Sequence, residues 1–226
     1  MLLIRLIHSD YRRYVAQGNP HFFSIILACQ GIWASVVYRI SHSLVSSTRV
    51  PIVKRCFRII AAIASKLMQI ITGIALAYDS EIGEGLHILH FGNIIVGSKV
   101  KMGSNCTISQ GVTLGGGGHG LGWGVPTIGN RVYIGPNAVV FGKITIGNDV
   151  MIGAGCVVSR SIRDRAVVIG NPAQIVWFEG SFERIRYDGM DSDEERCASM
   201  LARKSRIRKM ENGKPDPEPP TSLGDL

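Results

Sequence analysis

Apolar residues return at every sixth position through the middle of the chain. The series runs Ile82, Ile88, Ile94, Val100, Cys106 and Val112, breaks once, and resumes as Ile128, Ile134, Val140, Ile146, Ile152 and Val158. Period six suits neither a helix nor a plain strand, so it marks a structural repeat. In the second half the fourth residue after each start is also apolar: Val132, Ala138, Ile144, Val150, Cys156 and Ile162. That residue precedes the next start by two, and residues two apart in a strand share a face. Between the pairs stand Gly-Asn-Arg, Gly-Pro-Asn, Phe-Gly-Lys, Gly-Asn-Asp and Gly-Ala-Gly, mostly turn chemistry. Each hexad predicts a short strand and a corner, and only stacked coils can bury the apolar face. From Val112 to Ile128 the chain runs ten positions beyond the single hexad that the period predicts, so ten are inserted there.

The flanks follow other rules. Phe22 to Tyr38 is uncharged, interrupted by Gln30 and Gly31, and Ile59 to Tyr78 is a second apolar stretch carrying Lys66. Both predict helices, and neither is a convincing bilayer span, for which about 20 apolar residues are needed. Helices packed on each other and on a partner subunit are expected, with peripheral attachment to an anionic leaflet as the second reading. Towards the other end, acidic Asp191 to Glu195 and basic Arg203 to Lys209 suit the two ends of one helix. The run from Pro215 to Pro220 predicts a disordered tail. The expected organisation is a helical, basic region over 1–73, a repeat domain over 74–176 with a loop at 115–126, and an extension over 177–226, helical then disordered.

Charge changes the picture only at the start of the chain. Residues 1–78 hold nine basic side chains against Asp10 alone, so the formal net charge of +8 belongs to that region. No recognisable nucleic-acid motif interleaves with these cations, and nucleic acid is not an expected partner. The 5 cysteines are scattered without C-x-x-C spacing, and Cys106 and Cys156 take inward positions, as small core residues of a reducing compartment. Met1 to Ile7 is too short an apolar stretch for a cleavable signal, so a cytoplasmic protein is expected, at most peripheral to the inner face of the membrane.

Over about residues 73 to 176 the segments GEGLHILHFGNIIVG, SQGVTLGGGG, PTIGNRVYIGPNAVVFGKITIGNDVMIGAGCVVSRSI and IGNPAQIV resemble the serine acetyltransferases, hexapeptide-repeat acyltransferases, and the resemblance extends weakly upstream through DYRRY at 10–14 and YRISH at 38–42. The resemblance implies an all-β left-handed parallel β-helix, a triangular prism of three hexads per coil, preceded by an α-helical region. Such a prism departs from the right-handed crossover usual for parallel strands. It further implies acetyl-CoA as acyl donor and a homotrimer with the donor groove between prisms, with a dimer of trimers as the larger assembly. The prism also carries zinc-dependent carbonic anhydrases, which use three histidines, two of them closely spaced, across subunits. His87, His90 and His119 lack that arrangement, so no metal is expected.

His90 corresponds to the family's general base. Counting by coils places His90, Ile108, Pro136 and Ala154 in one corner column, about 4.8 Å apart per coil and on the order of 15 Å long, comparable to a pantetheine arm. The family's CoA-binding positions match Gly116, Gly117, Pro136 and Ala154. An alcohol must lose its proton as it attacks the thioester, and a neutral imidazole suits that role. The amides of Gly115, Gly116 and Gly117 are candidate donors to the tetrahedral oxyanion. The loop GGGGHGLGWGVP brings backbone close to a ligand, with Trp123 as its one large anchor and His119 in reach of substrate. His87, of opposite parity to Ile88, is expected on the surface.

Departures from the family bear on the acceptor. The aspartate that orients the base is replaced by Ala75, the Asp-His pair reads Leu89-His90, and the Arg-His pair of the loop reads Gly124-Val125. A free amino acid leaves its charged ends unpaired at such a site, which is costly. The favoured acceptor is therefore a neutral glycan hydroxyl, a sugar of polysaccharide biosynthesis. Serine itself is the alternative, and a non-catalytic assembly protein the third reading.

Overall fold

The computed structural model describes residues 2–18 and 21–211. The predicted disordered tail lies outside the described residues.

The hexads form a prism with three faces. Face A stacks β1 (Ile74–Leu76), β4 (Ile94–Val96), β7 (Thr113–Gly115), β10 (Val139–Phe141) and β13 (Val157–Val158). Face B stacks β2 (Glu81–Ile82), β5 (Lys101–Met102), β8 (Thr127–Ile128) and β11 (Thr145–Ile146). Face C stacks β3 (His87–Ile88), β6 (Thr107–Ile108), β9 (Tyr133–Ile134), β12 (Met151–Ile152) and β14 (Val167–Ile169), and ends in β15 (Gln174–Trp177). Only the last pairing is antiparallel among these. The solenoid is left-handed, and Ile88, Ile94, Ile108, Leu114, Ile134, Val140 and Ile152 fill its interior.

Corner chemistry explains the Gly-Asn punctuation. Asn105, Arg131, Asp149 and Arg165 share one corner with φ of 58, 56, 57 and 61°, the left-handed region in which side chains are uncommon. Beside them, Asn130 Oδ1 accepts the Ser104 N–H, Asn148 Oδ1 the Asn130 N–H, and Asp164 Oδ1 the Asn148 N–H. A short polar side chain thus carries the hydrogen-bond ladder across the corner from coil to coil. The Arg131 guanidinium is buried against Asp149 and reaches Glu195 at 3.1 Å, which ties the C-terminal segment to face C.

Register shows that the single insertion of the sequence count is two insertions. Ile134 pairs with Ile152, three hexads on, the length of one plain coil. Ile108 pairs with Ile134, a coil and eight further positions on, so eight enter between β7 and β8. Ile88 pairs with Ile108, a coil and two further positions on, so the other two enter earlier, between β3 and β4. Beyond that point the apolar series changes set. Ile94, Val100, Cys106 and Val112 line up with Ala138, Ile144 and Val150 rather than with the starts at Ile128 and Ile134. Both sets face inward, so the period continues unbroken across the extra pair.

Helices precede the prism: α1 (Leu2–Ala16), α2 (Phe22–Ala28), α3 (Gln30–Ser47) and α4 (Pro51–Thr72). Pro51 stands in the first turn of α4 and Gly73, with φ of 69°, ends it, as proline and glycine do at opposite ends. Among the described residues no single helix is long and apolar enough to cross a membrane; α2 and α3 qualify only as a pair bent by 85°. The apolar side of α4, including Ile59, Ile63, Leu67 and Ile70, is exposed. After the prism, α5 (Glu194–Glu211) begins with Glu194 and Glu195.

Candidate functional site

His90 stands where the chain has an extra pair of positions to spare. The Leu89 N–H donates to Ile108 O at 2.9 Å, and the Gly111 N–H to Gly92 O at 3.0 Å. Leu89 and Gly92 thus keep their places in the coil, and His90 with Phe91 bulges outward between them. Both are exposed. The column above is set by bonds from the Asn137 N–H to Gln110 O and from the Gly155 N–H to Pro136 O. It therefore reads Gly92, Gln110, Pro136, Ala154. Ile108, expected in this column, is instead a core residue of β6, because counting by plain coils misses the extra pair. The histidine is an outward loop at the foot of the column.

The larger insertion folds back on itself. Gly117 and Gly124 exchange N–H···O bonds of 2.9 and 3.0 Å, and a 3₁₀ turn, Gly120–Gly122, closes the arm. His119 and Trp123 are exposed along it, with the indole laid against Gly116. A Cβ on Gly116 would come within 2.7 Å of that ring, and one on Gly117 within 2.5 Å of the Phe141 ring, so both positions require glycine. The Gly117 N–H is spent on Gly124 O, so it is not a free oxyanion donor. Gly115 ends β7, with open space where its Cβ would be.

His90 and the glycine arm leave the prism at opposite edges of face A. His90 stands at the corner entering β4, and the arm departs after β7, which pairs with β4. Pro136 and Ala154 share the corner of His90, whereas Gly115, Gly116 and Gly117 belong to the other. Ala75, in β1, pairs with Ile95 on that same face. At the loop's exit, Gly124 packs on the stem of Lys143, 2.7 Å from its would-be Cβ, and Val125 packs on the core. An exposed cation, Lys143, thus lies beside the two positions where the family's paired cations are missing. Its hexad, Phe-Gly-Lys, offered no signal beyond turn chemistry.

His87 is not a surface residue, contrary to expectation. It is 3% exposed, with Tyr14 of α1 standing edge-on at 4.7 Å between ring centroids. Its parity is as read, since it points out of the prism, but helix α1 covers that side. Burial above all, then Arg13 and His90, pushes its pKa down from 6.5 to about 3. Between those values the unfolded chain binds a proton that the folded chain refuses. Stability is therefore whole above 6.5 and is lost as pH falls towards 3, at up to about 1.4 kcal/mol per pH unit. Urea midpoints from pH 7 to 4 should fall less steeply in His87→Leu than in the parent. Parallel acid limbs would refute this.

Comparison with known proteins agrees with this geometry. The family model described as bacterial transferase hexapeptide (six repeats) matches residues 126–160. A serine acetyltransferase of Synechococcus elongatus is 33% identical over 203 residues, 88% of this chain and 80% of the relative. One from Helicobacter pylori is 38% identical over 165 residues, 72% of this chain and 92% of the relative. The crystal structure of Neisseria gonorrhoeae serine acetyltransferase superposes with a TM-score of 0.69 at 28% identity, covering 85% of this chain and 70% of that one. That of Brucella abortus gives 0.68 at 27% identity, covering 78% and 69%. These findings overturn the expectation of a sugar acceptor in polysaccharide biosynthesis, to which none of these relatives points. Counting the missing charges of Ala75, Leu89 and Gly124-Val125 took no account of Lys143, which folding brings beside Gly124 from another hexad. The chain belongs to the serine acetyltransferase family of O-acetyltransferases.

Proposed function

We propose that this enzyme transfers the acetyl group of acetyl-CoA to the hydroxyl of serine, with His90 as general base. The observation that carries the reading is the two-position bulge that lifts His90 out of the prism at the foot of the Gln110, Pro136 and Ala154 column. His90 takes the hydroxyl proton as the serine oxygen attacks the thioester carbonyl. The tetrahedral intermediate places charge on the carbonyl oxygen, for which the Gly116 amide is the candidate donor, since the Gly115 N–H is spent in the ladder to β10. Collapse breaks the C–S bond, and the departing CoA sulfur takes the proton back from His90. The pantetheine arm lies along the column, where Pro136 and Ala154 are flat or small.

Lys143 supplies a cation for the serine carboxylate in place of the pair absent from Gly124-Val125. The separation of His90 and the glycine arm by the width of face A supports a homotrimer, in which one prism's His90 corner meets another's arm. His119 and Trp123, exposed on that arm, then border the acceptor. The exposed apolar side of α4, with Arg55 and Arg58 on the same helix, suits burial against a partner subunit.

The test is turnover of purified protein with acetyl-CoA and L-serine, followed by thiol release and by detection of O-acetylserine. Robust turnover is expected, with Lys143→Ala raising KM for serine and leaving that for acetyl-CoA in place. Hydrolysis alone, or no thiol release with serine, overturns the acceptor.

A further inference from the structure

The first coil of the prism has no strand beneath it. Strands β2 and β3 stand at the ends of faces B and C, so each has a paired strand on one side only. In β3 the His87 and Leu89 N–H groups donate upward, to Cys106 O and Ile108 O. The Ile88 N–H and C=O between them face the missing coil, and Ile88 is buried at 2% exposure, where an unpaired peptide group is costly. Tyr14 of α1 satisfies both. Its hydroxyl donates to Ile88 O at 3.2 Å and accepts from the Ile88 N–H at 3.4 Å.

The contact is enclosed on every side. Gly31 of α3 backs it: a Cβ there would come within 2.5 Å of Tyr14 Oη and 2.6 Å of Ile88 Cβ. The His87 ring stands edge-on against the phenol from the strand side. Burial raises the Tyr14 pKa, so the hydroxyl remains a neutral group able to donate and accept at once. Tyr38 of α3 repeats the device under face B, donating to Ser80 O at 2.8 Å and accepting from the Ile82 N–H at 3.1 Å. The two tyrosines do the same chemical work at two edges. Only the strand above Tyr14 runs directly into the corner that carries His90.

We infer that Tyr14 is a positioning residue for His90: its hydroxyl replaces the absent coil and fixes the end of β3 from which the bulge departs. The inference rests on His90 being the base. The bulge is anchored through the backbone bonds of Leu89 and Gly92, so the end of β3 sets the direction of the imidazole. Ala75 brings no carboxylate to orient the ring, which leaves that task to the backbone.

The experiment compares Tyr14→Phe with Tyr38→Phe, since each loses one equivalent pair of bonds and keeps its ring. Both variants should melt earlier by similar amounts. Tyr14→Phe should lower kcat about 10-fold, the effect of a small displacement of a reacting group, with KM for acetyl-CoA little changed. Tyr38→Phe should keep the parent kcat. Equal losses of kcat in the two variants, or an unchanged kcat in Tyr14→Phe, overturn the inference. His90→Ala, assayed alongside, separates the two readings. An inactive His90→Ala beside an unimpaired Tyr14→Phe removes only the positioning role, whereas an active His90→Ala removes the base and the brace together.

Discussion

His90→Ala is expected to lower turnover by about 10²- to 10⁴-fold, the usual worth of a general base. Acetyl-CoA binding, measured by calorimetry, should change little. The reason is spatial: the bulge places the imidazole outside the coil, so its loss leaves the Gly92, Gln110, Pro136 and Ala154 column and the glycine arm intact. Stability should hardly move either, because the side chain is exposed. A kcat close to the parent would remove His90 from the mechanism. A matched loss of donor affinity would instead make it part of the CoA site.

Asp10→Ala should be the most destabilising of these changes, at about 3–5 kcal/mol, because it strands a buried guanidinium. Asp10 and Arg39 are 0% and 3% exposed and bonded twice, at 2.9 and 3.0 Å. Asp10 also accepts from Ser35 and from the Leu86 N–H, while Arg39 donates to Ile82 O and Gly83 O. The pair is thus the joint by which α1 and α3 close the open end of the prism. Glu84→Ala breaks only the exposed Arg5–Glu84 pair and should cost at most about 1 kcal/mol. Urea unfolding of the two variants distinguishes the cases. Equal losses would mean that the buried pair is not the joint.

The helical end shows why the closure of the prism floor is hard to read from sequence. Asp10, Tyr14, Tyr38 and Arg39 lie in DYRRY and YRISH, which carry a weak family likeness, but with Ser9 they are spread over α1 and α3 and that likeness does not say what they bond. Together they satisfy the floor of the prism through bonds to Gly85, Leu86, Ile88, Ile82 and Gly83. Nothing in a helix-forming pattern marks a side chain that will bond a sheet edge far along the chain. Lys143 is a parallel case, a turn lysine that becomes interesting only because Gly124 packs on it.

The hexad pattern made the stacked coils legible, because that information is local, while the three-sided, left-handed prism was what the family resemblance implied. Two inward residues per hexad and a turn of Gly, Asn or Pro decide strand and corner wherever they fall, and stacking follows from the need to bury that face. The sequence by itself also determined the net length of the interruptions, since any insertion must appear in the count. How that length divides is set by packing, with eight positions in the arm and two in the bulge that carries His90. A period-six series cannot tell one inward position from the other, so a slip of two leaves it looking regular. Parity likewise assigned His87 to the outside of its strand, but only packing decides what covers that outside. Here it is α1, and the same helix brings Tyr14 under the strand that leads to the base.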